Sequence, residues 1–370
     1  MPGNLRVPAG LDGVTITDSK IAKSGSDGSL VYRGYDIDEL ARNAGFEETA
    51  FLVLYGKLPT SAELGTFSTR LRSEAALDRK VLDVMRSIPS DSHPMDVLRT
   101  ALSILASLDR HESTDGMEVS IAAKMPVLAA NSLRLPEGLE PVRPAEHLSL
   151  PANLLAMITG REPTKLELWT FERVMILYME HDLNASSFTV RVVASTGADP
   201  YAAVTAGLAA LKGPLHGGAN EVAMRMLLEL KDPSRAREFV ESAVTERRKV
   251  IGFGHRVYKE FDPRARMCKE YLRRLVDEYG KGENLYLLCD ALEKEMWVRK
   301  RIPPNLDFYA APIFYLLGIP IPLYTPIFAS SRVFGWMAHY NEQIEEKKLI
   351  RPDAAYVGPS GLKYVPLGLR

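Results

Sequence analysis

A mainly α-helical protein with a small β element near its N-terminus is the fold class this sequence predicts. Apolar residues recur at the three-to-four spacing of helix faces through most of the chain beyond Asp36. These runs are bracketed by cap residues at one end and by glycine or proline at the other. Strand-like alternation is confined to the first 35 residues, where Val14-Thr15-Ile16-Thr17 alternates and Gly25-Ser26-Asp27-Gly28 supplies a turn.

Taken in order, the elements begin with that small hairpin. Phe46 to Tyr55 reads as a helix closed by Gly56 and stopped before Pro59. Thr60-Ser61-Ala62-Glu63 is a capping box that opens the next one. His93-Pro94-Met95-Asp96 starts a packing helix through Val97, Leu98, Ala101, Leu102, Leu105 and Leu108, which makes His93 structural. Leu133 to Pro151 carries four prolines and reads as a surface connection or a broken helix. Leu166 to Met179 resumes a helix, and Glu180-His181-Asp182-Leu183-Asn184 interrupts its apolar context with polar side chains that need partners. Val222, Met226 and Leu230, with Ala223 and Leu227, mark one face of a further helix. Asp262-Pro263 starts another, with the cap residue first and proline at the first helical position. Pro303-Pro304-Asn305 cannot continue the helix that contains Trp297, so Phe308 to Leu317 is a new one, ended by Gly318 and Pro320.

Composition excludes several classes. The chain has 370 residues, with 46 basic and 47 acidic side chains, so it presents no general basic field for nucleic acid or membrane surfaces. No apolar run reaches the length of a membrane span. Met-Pro-Gly-Asn-Leu-Arg is not the start of a secretory signal, and two cysteines, Cys268 and Cys289, make no disulfide framework. A cytoplasmic protein is expected. No cluster of His, Cys and carboxylates has metal-ligand spacing, so no metal is expected.

The chemistry concentrates between residues 213 and 264. His216 precedes Gly217-Gly218 at a helix entrance, where the helix dipole and unpaired amides disfavour the imidazolium, so a neutral donor is expected. His255 sits behind Gly252-Phe253-Gly254, and Arg264 lies in the first turn of the helix begun by Asp262-Pro263. A cation beside an exposed histidine suits an anionic substrate. Asp307 falls in the first turn of a helix, where the dipole and amides favour an ionised carboxylate that can act as a base. Taken singly, each is an ordinary turn or first-turn residue, and only the combination points to catalysis.

Leu215-His216-Gly217-Gly218-Ala219-Asn220-Glu221, Gly252-Phe253-Gly254-His255-Arg256-Val257-Tyr258, Asp262-Pro263-Arg264 and Asn305-Leu306-Asp307-Phe308-Tyr309 together resemble the citrate synthase family in content, order and separation. Tyr32-Arg33-Gly34-Tyr35-Asp36-Ile37 and Arg351-Pro352 extend the resemblance over nearly the whole chain. It implies an almost all-α fold with a large domain, residues 1–217 and 319–370, and a smaller domain, 218–318, that closes on substrate. It further implies that Asp307 takes a proton from the methyl group of an acyl-CoA thioester. His216 holds the enol oxygen, and His255 donates to the ketone oxygen of oxaloacetate. His181, Arg264, Arg332 and Arg351 would hold the oxo acid, Arg351 reaching the neighbouring subunit's site in a homodimer. Ile251, Gly252, Phe253, Gly254, Lys259 and Asn305 would contact coenzyme A, with Arg299, Lys300 or Arg301 adding phosphate contacts. Coenzyme A enters as a cosubstrate thioester, and no tightly bound cofactor is implied. The shortness of the chain resembles the simpler dimeric members of the family.

Three other readings compete. A 2-methylcitrate synthase shares the catalytic set and differs by one methylene in the acyl group, a discrimination of about 1–3 kcal/mol. A non-catalytic CoA-binding or scaffolding homologue would not need His216, His255, Asp307 and the arginines together. A serine hydrolase or zinc enzyme would need a Gly-x-Ser-x-Gly elbow or a His-Glu-x-x-His pair, and the sequence has neither.

Overall fold

The computed structural model describes residues 7–11 and 13–370. The first six residues, on which the reading of the leader rests, lie outside the described residues. A three-stranded antiparallel sheet comes first: β1 (Ala22–Ser24), β2 (Leu30–Tyr32) and β3 (Tyr35–Asp36), in the order β1-β2-β3. The turn at residues 25–28 joins β1 to β2, with Gly28 at φ +84°. Val14 to Thr17 form no strand, contrary to their alternation. Thr17 instead accepts a hydrogen bond from the buried Arg191 guanidinium at 3.2 Å, and residues 14–16 line the main cleft.

Helices follow: α1 (Ile37–Asn43), α2 (Phe46–Tyr55), α3 (Ser61–Glu74), α4 (Arg79–Ser87), α5 (Pro94–Leu108), α6 (Thr114–Arg134), α7 (Leu150–Thr159) and α8 (Lys165–Met179). Beyond them come α9 (Ala185–Ala194), α10 (Pro200–Leu211), α11 (Ala219–Leu230), α12 (Ala236–Thr245), α13 (Pro263–Tyr279), α14 (Glu283–Lys300), α15 (Leu306–Leu316) and α16 (Tyr324–Glu346). The local signals place their ends well. Gly56 closes α2 in the left-handed region at φ +80°, and Thr60 with Glu63 forms the expected capping box on α3. His93 caps α5, its Nδ1 accepting the Met95 amide at 3.1 Å.

Two buried helices carry the site. α16 is buried along Tyr324 to Tyr340 and packs on α6, α8, α9 and α10. α8 is buried over Val174 to Met179, and the two cross so closely that a Cβ on Gly335 would stand 2.6 Å from the Met179 carbonyl oxygen. Against α8 stands a second group, α13 on α15 and α11 on α15, with α12 and α14 outside them. α11 turns a different face inward from the one its spacing suggested. Ala223, Met224, Leu227 and Leu230 are buried together with Asn220 and Glu221, while Val222 is exposed. The buried Glu221 carboxylate explains the shift: it accepts the Thr325 hydroxyl of α16 at 2.5 Å and faces His93 at 3.2 Å.

Candidate active site

Between these groups lies a cleft of about 1210 Å³ whose lining includes His181, His216, His255, Arg264, Asp307 and Arg332. His216 arrives on the turn before α11. Gly217 is required there, because a Cβ would meet the Leu211 carbonyl oxygen at 2.5 Å. The helix N-terminus that His216 addresses is that of α9. The Ser186 amide donates to His216 Nε2 at 3.3 Å, and the Ser186 hydroxyl lies 2.8 Å from the same nitrogen. A ring nitrogen that accepts a backbone N–H carries no proton, so the proton sits on Nδ1. Burial, with the Arg332 charge second, pushes the His216 pKa down to about 4. The ring is neutral as the sequence suggested, but burial is the main cause.

His255 is fixed in the complementary tautomer. Its Nδ1 accepts the amides of Val257 at 3.1 Å and Tyr258 at 3.4 Å, which leaves the proton on Nε2. Burial and then Arg264 lower its pKa to about 4. Its ring stacks on Tyr258 and meets His181 edge-on at 4.8 Å. His181 is buried, holds the Tyr258 hydroxyl at 3.0 Å, and is kept well below the usual histidine range by burial and by Arg264. The left-handed residue Asp182, φ +53°, turns the chain immediately after it.

The two buried arginines are held differently. Asp262 caps α13 and grips Arg264 in bidentate fashion, Nε at 3.0 Å and Nη2 at 2.8 Å. The same carboxylate accepts the Leu306 amide at 3.2 Å and so fixes where α15 begins. Arg332 donates from Nε to the Tyr178 carbonyl at 2.7 Å and lies over the Phe328 ring. Its fork lines the cleft.

Asp307 departs from expectation in its electrostatics. It does sit in the first turn of α15 behind the cap Asn305. Its pKa is nevertheless raised, from 3.8 to about 6, because burial outweighs the Tyr178 hydrogen bond and the Arg264 charge. Tyr178 donates to Oδ1 at 2.7 Å. Asn305 also zips two loops together: its amide donates to Gly252 at 2.9 Å, its side chain donates to the Gly254 carbonyl at 3.1 Å, and the Gly254 amide donates to Pro303 at 2.8 Å. Gly252 at φ +92° has no room for a side chain, since a Cβ would lie 2.9 Å from Phe308.

Residues 10–353, the stretch that carries these two histidines, this carboxylate and both buried arginines, match a family model described as "Citrate synthase, C-terminal domain". The chain belongs to the citrate synthase family. It is 42% identical over 365 residues to citrate synthase 2 of Bacillus subtilis, covering 97% of this chain and 98% of that one. It is 39% identical over 367 residues to 2-methylcitrate synthase of Shewanella oneidensis, covering 98% of each. Citrate synthase of Thermoplasma acidophilum, solved as a ternary complex with carboxymethyl coenzyme A and oxaloacetate, superimposes with a TM-score of 0.91 at 33% identity, covering 98% of each chain.

The other residues expected of a family member divide. Ile251, Gly252, Phe253, Gly254 and Asn305 line the cleft, as does Lys300. Lys259 does not line the cleft here: its ammonium donates to the carbonyls of Arg256, at 2.8 Å, and His255, at 3.3 Å. Arg299 is paired with Glu241 and Glu295, and Arg301 lies over Trp297. Arg351 is not brought to this cleft; it is exposed in the terminal segment and paired with Asp353 at 2.7 Å. The sequence reading missed Arg247, Arg248 and Lys249, which line the cleft beside the glycine loop. Their signal was the basic run just before Val250-Ile251-Gly252. It also missed Gly10, Leu11 and Gly13 to Ile16, which no chemical motif marks.

Proposed function

We propose that this protein condenses acetyl-CoA with oxaloacetate and water to give citrate and coenzyme A. The observation that carries the reading is the convergence of His216, His255 and Asp307 with two buried arginines on one cleft. Asp307 removes a methyl proton through Oδ2, its other oxygen being held by Tyr178. The Nδ1–H of His216 holds the developing enolate oxygen. The Nε2–H of His255 polarises the ketone of oxaloacetate, whose carboxylates pair with Arg264 and Arg332. The enolate carbon attacks the ketone carbon, the ketone oxygen takes up a proton, and water then cleaves the thioester. Arg247, Arg248, Lys249 and Lys300 supply cationic charge for the phosphates of coenzyme A at the cleft rim.

The same reading extends to assembly. Residues 218–318 form a smaller lobe that closes on the rest, excluding water before the enolate forms. Two copies pair, each lending Arg351 to the other's cleft. In support, the segment from Arg351 to Arg370 is exposed throughout and carries Tyr356, Val357, Leu362, Tyr364 and Leu367 with no cover. A reducing compartment, the cytoplasm, suits the two buried free thiols Cys268 and Cys289.

Release of coenzyme A thiol from purified protein with oxaloacetate tests the reading. Acetyl-CoA is expected to outpace propionyl-CoA, and Asp307→Ala is expected to lower kcat by at least about a hundredfold. Preference for propionyl-CoA would assign the chain to the 2-methylcitrate branch. No release with either thioester, from folded protein that binds coenzyme A, would reject catalysis.

A further inference from the structure

Tyr178 occupies a position that no motif drew attention to. It is the penultimate residue of α8 and is fully enclosed, with its ring against Phe328 at 4.2 Å and Phe314 at 6.3 Å. A buried phenol needs a partner for its hydroxyl, and this one donates to Asp307 Oδ1 at 2.7 Å. Its backbone carbonyl accepts Arg332 Nε at 2.7 Å. One residue thus touches both the base and a substrate-binding arginine. The Asn220 side chain of α11 also lies close to the phenol, and its buried Nδ2 is left without a hydrogen-bond partner.

We propose that Tyr178 is a positioning residue for the carboxylate base: its hydroxyl occupies Oδ1, turns Oδ2 toward the acyl methyl group, and registers α15 against α8 when the cleft is closed. The inference rests on the reading of Asp307 as the base. Geometry supports it in two ways. A hydrogen bond to Oδ1 restrains rotation of the carboxylate about its Cβ–Cγ bond and leaves Oδ2 for the methyl proton. The bond also joins residues 178 and 307, which fall on opposite sides of the proposed lobe boundary, and so it forms only at one separation of the two. A rotamer of the phenol that abandons Asp307 is blocked by Phe314 and Phe328, whose rings pack on it.

The charged and titratable groups facing Asp307 define what a pH experiment reads. These are Tyr178 from α8, Arg264 and the cap Asp262 from α13, Arg332 from α16, and the thiol of Cys268 near Asp262. Tyr178 and both arginines lower the pKa of the carboxylate, whereas burial and Asp262 raise it. Removing the phenol hydroxyl removes a lowering influence, so the acid limb of the rate profile moves to higher pH.

The experiment is steady-state thiol release by Tyr178→Phe across pH 5 to 9, beside the parent and Asp307→Asn. A fall in kcat of about tenfold to a hundredfold is expected, with the KM for oxaloacetate within about twofold and the acid limb displaced upward by about half to one pH unit. Incorporating 3,5-difluorotyrosine at 178, a stronger donor of the same shape, is expected to restore kcat and move the limb back down. A Tyr178→Phe enzyme with unchanged kcat and an unmoved limb overturns the proposal. So does a loss carried by the KM for oxaloacetate alone, which would assign Tyr178 to Arg332 support. Asp307→Asn separates the readings: if it keeps the parental rate and limb, the base assignment fails and the proposal with it, whereas an inactive Asp307→Asn beside a silent Tyr178→Phe rejects only the role of Tyr178. If Tyr178→Phe unfolds, the difluorotyrosine protein still decides, because an unmoved limb in it is equally disqualifying.

Discussion

Asp307 is held ionised at neutral pH against its surroundings, and that has a measurable cost. Its pKa in the fold is about 6, against 3.8 for the unperturbed group. Between those values the folded chain binds a proton that the unfolded chain has released, so stability falls as pH rises through that window and the whole penalty stands above about pH 6. Asp307→Asn is therefore expected to be more stable than the parent by about 1–3 kcal/mol at pH 7.5. The gain should vanish as pH drops toward 4; thermal melts at four or five pH values check this. The histidines run the other way. His216 and His255 stay neutral in the fold down to about pH 4, whereas their unfolded forms protonate near 6.5. Stability is lost as pH falls through that interval. His216→Gln should lose less stability than the parent between pH 6.5 and 4, and an equal loss would contradict the burial argument.

At the scale of elements, the site depends on two close approaches. A side chain at Gly335 would press on the Met179 carbonyl and the buried Glu180 carboxylate, driving α16 off α8 just where Arg332 and Tyr178 meet. Gly335→Ala is expected to cost about 1–3 kcal/mol in denaturant melts and to raise the KM for oxaloacetate. A side chain at Gly252 would meet both a forbidding φ and Phe308. The cap and stop residues made α2, α3 and α5 legible from sequence, because caps act within one turn and their chemistry is local. The buried face of α11 was not legible. Glu221 faces inward because Thr325, distant in sequence, donates to it, and Asn220 is buried beside it. The raised pKa of Asp307 was hidden for a similar reason: position in a first turn can be read from neighbours, but enclosure by α8, α13 and α16 cannot. Val14 to Thr17 alternate like a strand yet form none, and Thr17 is held instead by Arg191. The proposed trio of His216, His255 and Asp307 was legible from four motifs taken together and their resemblance to one family, since singly each sits in an ordinary glycine, proline or cap context.

For the whole molecule, the proposed pairing of two copies makes a quantitative forecast. If each cleft takes Asp307 from one subunit and Arg351 from the other, Asp307→Ala and Arg351→Ala are each inactive alone. Unfolded together and refolded as an equal mixture, half the dimers are mixed and each mixed dimer regains one intact cleft. About a quarter of the parental activity is expected to return. A mixture as inactive as its components would place Arg351 in its own subunit's cleft, and an Arg351→Ala protein that is active alone would place it in neither.

The bonds from Asn305 to Gly252 and Gly254, with that from Gly254 to Pro303, carry a consequence of a different kind. They make the His255 loop and the Asp307 helix a single piece, while His216 stands across Gly217-Gly218 on the other side of the proposed boundary. A cleft that parts there would carry base and ketone donor away together and leave the enolate-holding imidazole behind. Idle turnover would thereby be discouraged: an acyl-CoA that arrived alone would meet the proposed base without the partner that makes its carbon acidic. Wash-out of deuterium from the methyl group of labelled acetyl-CoA should accordingly be slow until oxaloacetate, or an unreactive mimic of it, is present.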